Sequence, residues 1–562
     1  MLLHPPEWIR EYRAAGFWND DTWDSLFSGW VRACPDKLAL ADPPNRESVD
    51  GQHPRRLTWA EIDHEVDRVS GLLTEAGIQR GDVVAVQLPN TVELVITLLA
   101  IARLGAIATP FPVTFRRHEV IVLGRHVGIK GFVTTGRVGN HYVAKEVVEW
   151  ARLIPTLQVV CSFGTELPAA GVVPLHQRSA TPPRRRNADP NEVVTICWTS
   201  GTESTPKAVP RAHYDWLAIA RICVTAPKLT ADDVILNPFP VTNMAGIGGM
   251  MLPWLISGSV LVQHHPLDLK VFLGQIAKER ANYTVAPPHA LNMLLADERA
   301  AAAADLSSIR CIASGSAPLS PTMVAGFQQR WGISILNMFG SNEGVALLSD
   351  PDTIPDPTER AAYFPRPDAP ELADTIAAMA GLRTRLVDIT TGATITEPGR
   401  PGELRIAGPT VFAGYLNDRG QVDQPFDKHG YFATGDVFEL AGDRGQYLRY
   451  VDRVKDIIIR GSNNVSAAEV EQMLQRHPSV AEVAAIGVPD SILGEKVCAV
   501  VVPAPNAEPP TLEALRTFMD RNGVAEYKQP ERLEIVEALP RNSLGKVLKR
   551  ELRTKFGRKP AA

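Results

Sequence analysis

Several features that would assign a chain early are missing from this one. Its 562 residues hold six cysteines (Cys34, Cys161, Cys197, Cys223, Cys311 and Cys498), with no Cys-x-x-Cys pair. Their scatter through apolar runs speaks against a disulfide framework and predicts reduced thiols. Charge of one sign is also lacking. The formal net charge is −5, which leaves no general footprint for nucleic acid. The triplet Arg184-Arg185-Arg186 lies between prolines and asparagine and reads as a solvated linker. No apolar run reaches the roughly 18 residues of a membrane span. The opening Met1-Leu2-Leu3-His4-Pro5-Pro6-Glu7 lacks the apolar region of a signal peptide. These absences leave a cytoplasmic, enzyme-sized protein as the expectation. Its length predicts roughly three to four structural units.

Helical and strand periods alternate through the first 450 or so residues. Thr58-Trp59-Ala60-Glu61 is a capping box, followed by Ile62, Val66, Val69 and Leu73 at helical spacing and closed by Gly77. Val83–Leu88 predicts a strand, Val92–Leu104 a helix ended by Gly105, and Ala106–Pro110 a second strand. This β-α-β order implies parallel or mixed sheets with covering helices. It recurs over Val260–Val285 and Ile309–Leu336. Residues 350–380, rich in Pro, Asp and Ala, read as a surface excursion, and from Gly392 short strands with Gly and Asp turns take over. After about Lys455 a compact α+β unit begins. Ser466-Ala467-Ala468-Glu469 caps a helix there, with strands at Val480–Val488 and Val497–Val502 and a helix at Leu512–Asn522.

The most informative stretch is Thr199-Ser200-Gly201-Thr202-Glu203-Ser204-Thr205-Pro206-Lys207, which follows the β-branched run Val193–Trp198. A hydroxyl-rich, glycine-containing loop leaving a strand turns N–H groups and hydroxyls toward an anion, and its terminal lysine adds a mobile cation. That is chemistry for a polyphosphate, although a plain surface turn has the same composition. It is not a Walker loop, because Pro206 and Ala208 stand where that motif needs Gly and Ser or Thr.

Five further segments carry polar groups at strand ends. Ser314-Gly315-Ser316-Ala317-Pro318-Leu319 is small enough for a flat base to approach, or is a simple turn. Asn337-Met338-Phe339-Gly340-Ser341-Asn342-Glu343-Gly344 sets one carboxylate between glycines; it caps a helix or, beside a triphosphate, holds Mg²⁺. Tyr431-Phe432-Ala433-Thr434-Gly435-Asp436 offers an aspartate for ribose hydroxyls. Asp452-Arg453-Val454-Lys455-Asp456 lies where the large and small units meet. Pro540-Arg541-Asn542-Ser543-Leu544-Gly545-Lys546 ends in a lysine after glycine.

In this order and spacing, over roughly 350 residues, the segments resemble the adenylate-forming superfamily of acyl- and aryl-CoA ligases, peptide-synthetase adenylation domains and luciferases. Gly402-Glu403-Leu404, Gly414-Tyr415 and Gly461 add to the match. The resemblance implies an α/β fold. A large N-terminal region of α/β subdomains with mixed sheets and a small β-rich subdomain would span 1–453. A small mobile C-terminal α+β domain would span 454–562, with Lys455 as hinge. It implies ATP, Mg²⁺ and CoA, with a small carboxylic acid as substrate. Thr199, Ser200, Gly201, Thr202 and Lys207 would then hold the β- and γ-phosphates. Gly315, Ser316, Ala317 and Pro318 would flank adenine, with Met338, Phe339, Gly340 and Asn342 completing the nucleotide site. Glu343 would hold the metal, Asp436 the ribose, and Arg453 the ribose and phosphate. Lys546 would act between the carboxylate and the α-phosphate, and Gly461 would face CoA. Lys546, Glu343 and Lys207 are thus the implied catalytic set.

The chain departs from the pattern in three places. Glu203 and Ser204 stand for a threonine and glycine of the phosphate loop, and Asn342 for the threonine before the metal-site glutamate. The segment Pro238–Gly249 corresponds to the acid-pocket wall, with Asn243, Gly248 and Met338 as wall candidates. An asparagine at 243 is similar to aryl-acid activating members, as are Pro210-Arg211-Ala212-His213 and the opening Glu11–Trp18, which alicyclic-acid ligases share. The acid is expected to be aromatic, alicyclic or medium-chain. The chain ends soon after Lys546 with no carrier domain, which favours free CoA as acceptor. The alternatives are a stand-alone aryl-acid adenylating enzyme that loads a carrier protein, and a non-catalytic nucleotide-binding relative. A homodimer is compatible with each; a nucleic-acid partner is not expected.

Overall fold

The computed structural model describes residues 1–164, 171–179, 187–199, 206–372, 379, 381–460, 463–490, 493–505, 507–522, 524–541 and 546–557. The chain divides into two compact units. One comprises residues 1–200, 206–383 and 406–430; the other comprises 201–205, 384–405 and 431–562. The architecture is the α/β one expected, with mixed sheets in the first unit and a smaller α+β assembly in the second.

The first unit holds two sheets. In the nine-stranded sheet, Val193–Trp198, Ile107–Pro110, Val83–Val86, Gly131–Thr135, Val159–Phe163 and Val172–Pro174 lie side by side and parallel. Ala208–Ala212, Tyr415–Leu416 and Val422–Asp423 extend its other edge in antiparallel fashion. The eight-stranded sheet runs Ala346–Ser349, Ser334–Gly340, Cys311–Gly315, Tyr283–Val285, Val234–Asn237, Val260–Gln263, Leu38–Ala41, Arg56–Thr58. All but its two outer strands are parallel, and Leu40 lies opposite Leu261.

The local signals in the sequence act as read. The Thr58 hydroxyl accepts the Glu61 N–H at 3.3 Å and the Glu61 carboxylate accepts the Thr58 N–H at 2.8 Å, opening the helix Trp59–Glu75. The helix Val92–Leu104 is buried at every residue, as expected of a helix apolar on all sides. Its one cation, Arg103, is met by Asp24, Asp63 and Asp67. Parallel β-α-β passages recur at Val260–Val285 and Cys311–Gly340. Among the described residues no helix is long and apolar enough to cross a membrane. The six cysteines form no disulfide, and burial pushes the thiols of Cys161, Cys197, Cys223, Cys311 and Cys498 up to about 12.

The described part of residues 350–380 is less of a surface excursion than its composition suggests. Arg360 is wholly buried, and its guanidinium donates to the carbonyls of Ile335, Ile354 and Pro355 and to Gln328. One arginine thereby binds the helix Pro357–Ala362 down, an arrangement composition alone does not reveal.

In the second unit Phe432–Ala441 and Tyr447–Arg453 form an antiparallel ribbon that continues through Gly402–Ala407. A further sheet joins Asn463–Val465, Ile458–Arg460, Gly494–Pro503, Val480–Asp490 and Arg532–Ile535. Alternation along its two long strands sends Val483, Ala485, Val497, Ala499 and Val501 to one core with Val470, Leu474, Leu515 and Met519. The intervening Ala484, Ile486, Val488, Cys498 and Val500 meet Leu539 and Leu552 on the other face.

Candidate active site

In the first unit the strand Val193–Trp198 pairs antiparallel with Ala208–Ala212, with Trp198 opposite Ala208. Thr199 N–H donates to the Lys207 carbonyl and Lys207 N–H donates to the Thr199 hydroxyl, each at 3.1 Å. Ser200, Gly201 and Thr202, with Glu203, Ser204 and Thr205, lie outside the described residues. The Lys207 ammonium sits 4.5 Å from the centroid of the Tyr415 ring, and the Tyr415 hydroxyl donates to Glu343 Oε1 at 2.9 Å. Burial and the Glu343 carboxylate push that phenol well above its ordinary range, which keeps it a donor.

Glu343 stands on a turn gripped through its main chain. Gly344 has φ +111°, and a Cβ there would lie 2.1 Å from the Thr410 carbonyl, so only glycine closes the turn. The Thr410 hydroxyl donates to the Gly344 carbonyl at 2.9 Å, and Phe412 N–H to the Glu343 carbonyl at 3.0 Å. Arg211, with no solvent exposure, donates to the carbonyls of Asn342 at 3.0 Å and Thr410 at 2.9 Å. Asp215 Oδ2 lies 3.3 Å from both Arg211 Nε and His4 Nε2. Burial draws the guanidinium below its usual range against the pull of Asp215, Cys197 and Glu343. His213, two residues on, accepts Trp23 N–H at 3.2 Å; burial pushes it down to about 3, so it is a neutral structural acceptor.

The adenine-flanking candidates meet by strand register, which sets Gly315 opposite Met338. A Cβ on Gly315 would lie 2.2 Å from the Met338 carbonyl, and Ser316 takes the left-handed φ of +69°. Ser316, Ala317 and Pro318 form an exposed ledge ahead of the half-buried Met338 and Phe339 and the exposed Gly340.

Two of the acid-wall candidates, Asn243 and Gly248, belong to an eight-residue π-helix, Met244–Met251, and its N-cap, an element type enriched at functional sites, while Met338 lies on the strand Ser334–Gly340. The Asn243 carboxamide oxygen accepts from Ala245 N–H at 3.1 Å and Gly246 N–H at 3.3 Å. A Cβ at Gly248 would lie 3.0 Å from the Trp216 ring, so its bareness lets the π-helix close on the helix His213–Thr225. Phe239, Met244 and Met338 are partly buried and pack against one shared core.

In the second unit, register places Asp436 opposite Arg453, and Arg453 Nε donates to Asp436 Oδ1 at 3.0 Å. Lys546 joins them. It keeps one side open to solvent, yet the surrounding protein strips enough water to push its ammonium down to about 8. Arg453 and Lys455 press in the same direction, while Asp436 and Asp456 oppose. Asp456 in turn binds Arg553, and Asp452 caps the helix Ala467–Leu474 through Ser466 and Ala468 N–H. Residues 542–545 and Gly461 lie outside the described residues.

Sequence reasoning missed Tyr415, Arg211, Thr410 and Met244 as site residues. Tyr415, Arg211 and Met244 stood in segments already singled out, whereas Thr410 carried no signal. The Glu343 carboxylate, with one oxygen held by Tyr415, is a hard oxygen donor of the kind Mg²⁺ takes. No group of three or more His, Cys, Asp or Glu side chains suited to a metal occurs among the described residues.

The chain belongs to the AMP-binding enzyme family, matching that family over residues 27–416 and its C-terminal domain over 469–546. It is 30% identical to the salicyl-AMP ligase / salicyl-S-ArCP synthetase of Mycobacterium tuberculosis, over 98% of this chain and 94% of that one. It is 29% identical to the medium-chain fatty-acid–CoA ligase of Escherichia coli, over 96% and 92%. Among solved structures, the amide bond synthetase McbA of Marinactinospora thermotolerans superposes with a TM-score of 0.79 at 26% identity, covering 95% of this chain and 100% of that one. The protein is an adenylate-forming acid ligase that binds ATP.

Proposed function

We propose that the chain is an ATP-dependent carboxylic acid–CoA ligase for an aromatic, alicyclic or medium-chain acid. One observation carries the reading: Lys546 lies in the electrostatic company of Asp436, Arg453 and Lys455. The substrate carboxylate forms a bond to the α-phosphorus of ATP. The bond from that phosphorus to the β-bridging oxygen breaks, and pyrophosphate leaves with the electron pair. The thiol of CoA then loses its proton and bonds to the acyl carbon, and AMP departs with the oxygen. Both steps gather anions, so the protein's share is cations and N–H donors placed beforehand. Lys546 supplies the mobile cation of the first step, and Lys207 with Thr199, Ser200, Gly201 and Thr202 holds the outer phosphates. Asp436 and Arg453 take the ribose, and Glu343 would hold Mg²⁺, which offsets phosphate charge. Lys455 is the hinge, and the C-terminal domain begins at 454.

A second reading is a ligase that loads a carrier protein. Its support is the 30% identity to the salicyl-activating enzyme and the asparagine at position 243. The test incubates the protein with ATP, Mg²⁺ and a panel of benzoates, alicyclic acids and fatty acids, with CoA or with a holo-carrier protein. Mass spectrometry then reads the products. Acyl-CoA that vanishes in Lys546→Ala supports the proposal; acyl-carrier without acyl-CoA replaces it with the second reading. Absence of pyrophosphate release across the panel leaves the non-catalytic relative.

A further inference from the structure

Asn342 is where this chain departs from the threonine of the superfamily pattern, and the two ends of its carboxamide have different partners. Oδ1 accepts the N–H of Met244, first residue of the π-helix, at 2.8 Å. Nδ2 donates at 2.9 Å to the carbonyl of Trp198, the last residue of the strand Val193–Trp198. The Asn342 carbonyl is held by Arg211, and its neighbour is Glu343. The contact partners are 98 and 144 positions away in sequence, so the link is a product of tertiary structure.

The N–H groups that open a helix need acceptors. Here Asn342 takes that of Met244, the Asn243 side chain takes those of Ala245 and Gly246, and the Asn243 carbonyl takes that of Ile247. The start of the π-helix is thus built onto Asn342. A threonine has one hydroxyl where asparagine has a separate donor and acceptor on a longer arm, so it cannot serve both partners in the same way.

We propose that Asn342 is a positioning residue that couples the acid pocket to the end of the strand Val193–Trp198 and to the turn that carries Glu343. An acid settling against the π-helix fixes, through the carboxamide, the end of the strand Val193–Trp198 and the turn that carries Glu343. The inference rests on the adenylation reading and on the π-helix as pocket wall. By linkage, the acid strengthens ATP binding and ATP strengthens acid binding by the same factor.

The test is ATP–pyrophosphate exchange with the most active acid of the panel. ATP is titrated at low and at saturating acid for the wild type, Asn342→Leu and Asn342→Thr, with thermal melting alongside. Isothermal titration of ATP with and without the acid gives a readout independent of turnover. The expected result is a wild-type ATP affinity that rises about fivefold or more with saturating acid. Both variants should lose that dependence and raise the acid KM. An acid-dependent shift retained in both variants overturns the inference, as does a fall in kcat alone or a wild type whose ATP affinity ignores the acid. If Asn342→Leu melts early, Asn342→Thr still decides, since it carries the residue usual in the superfamily. No exchange by the wild type with any acid removes the adenylation reading and this inference with it.

Discussion

The turn that carries Glu343 is held by its main-chain carbonyls, whereas the cluster around Lys546 is a set of charged side chains acting on one another. In the first, Arg211, Thr410 and Phe412 bind backbone atoms, and the Tyr415 hydroxyl binds the carboxylate. In the second, Asp436, Arg453, Lys455, Asp456 and Lys546 act on each other's charge. A grip on the backbone fixes position whatever the pH. A cluster of charges tunes a proton affinity, and it answers to pH and salt. Mutations should therefore lower stability at the first site and rate at the second.

The largest effect should come from Arg211→Met. It strips a wholly buried cation from Asp215 and leaves the Asn342 and Thr410 carbonyls without their donor, costing about 3–5 kcal/mol. Denaturant unfolding reads this directly, and a loss under about 1 kcal/mol would break the contrast. Next comes Lys546→Ala, expected to slow pyrophosphate release by about 10²–10³-fold with unfolding unchanged. A matching drop in stability would show that the lysine holds the fold.

The pH profile comes third. Lys546 titrates at about 8, so the cation is present below that pH and lost above it. kcat/KM for ATP should fall roughly tenfold per pH unit on the alkaline side. Lys546→Arg should move that limb upward, because guanidinium stays charged; an unmoved limb assigns the titration elsewhere. The smallest effect is Tyr415→Phe, which removes one hydrogen bond to a carboxylate, about 1.5–3 kcal/mol at most and less where water substitutes. Weaker ATP binding at low Mg²⁺, relieved by more Mg²⁺, would place Tyr415 behind the metal ligand, while a Mg²⁺-independent loss would not.

Local chemistry made much of this legible in advance. Thr58 and Glu61 cap the helix their spacing announces, Gly105 ends the next, and Ser466 opens the helix that follows the hinge segment. Asp436 and Arg453, 17 positions apart, meet because a ribbon folds back in register. Other features depend on contacts the sequence does not announce. The π-helix needs Asn342 from 98 positions away, and Arg360 reads as one more loop arginine until the carbonyls of three residues converge on it. The His in Pro210-Arg211-Ala212-His213 is structural, while Arg211 beside it grips the turn.

The order of strands in the eight-stranded sheet also sets a timetable. Leu40 sits beside Leu261, so the first strand of that sheet waits for a partner made 221 residues later. At roughly 5–20 residues per second, that is an interval of about 10–45 s on the ribosome. Through it Leu38–Ala41 can pair with the short antiparallel strand Arg56–Thr58, with its other edge open to any passing strand. The growing chain should be a client of chaperones until residue 261 has emerged, and the finished one need not be.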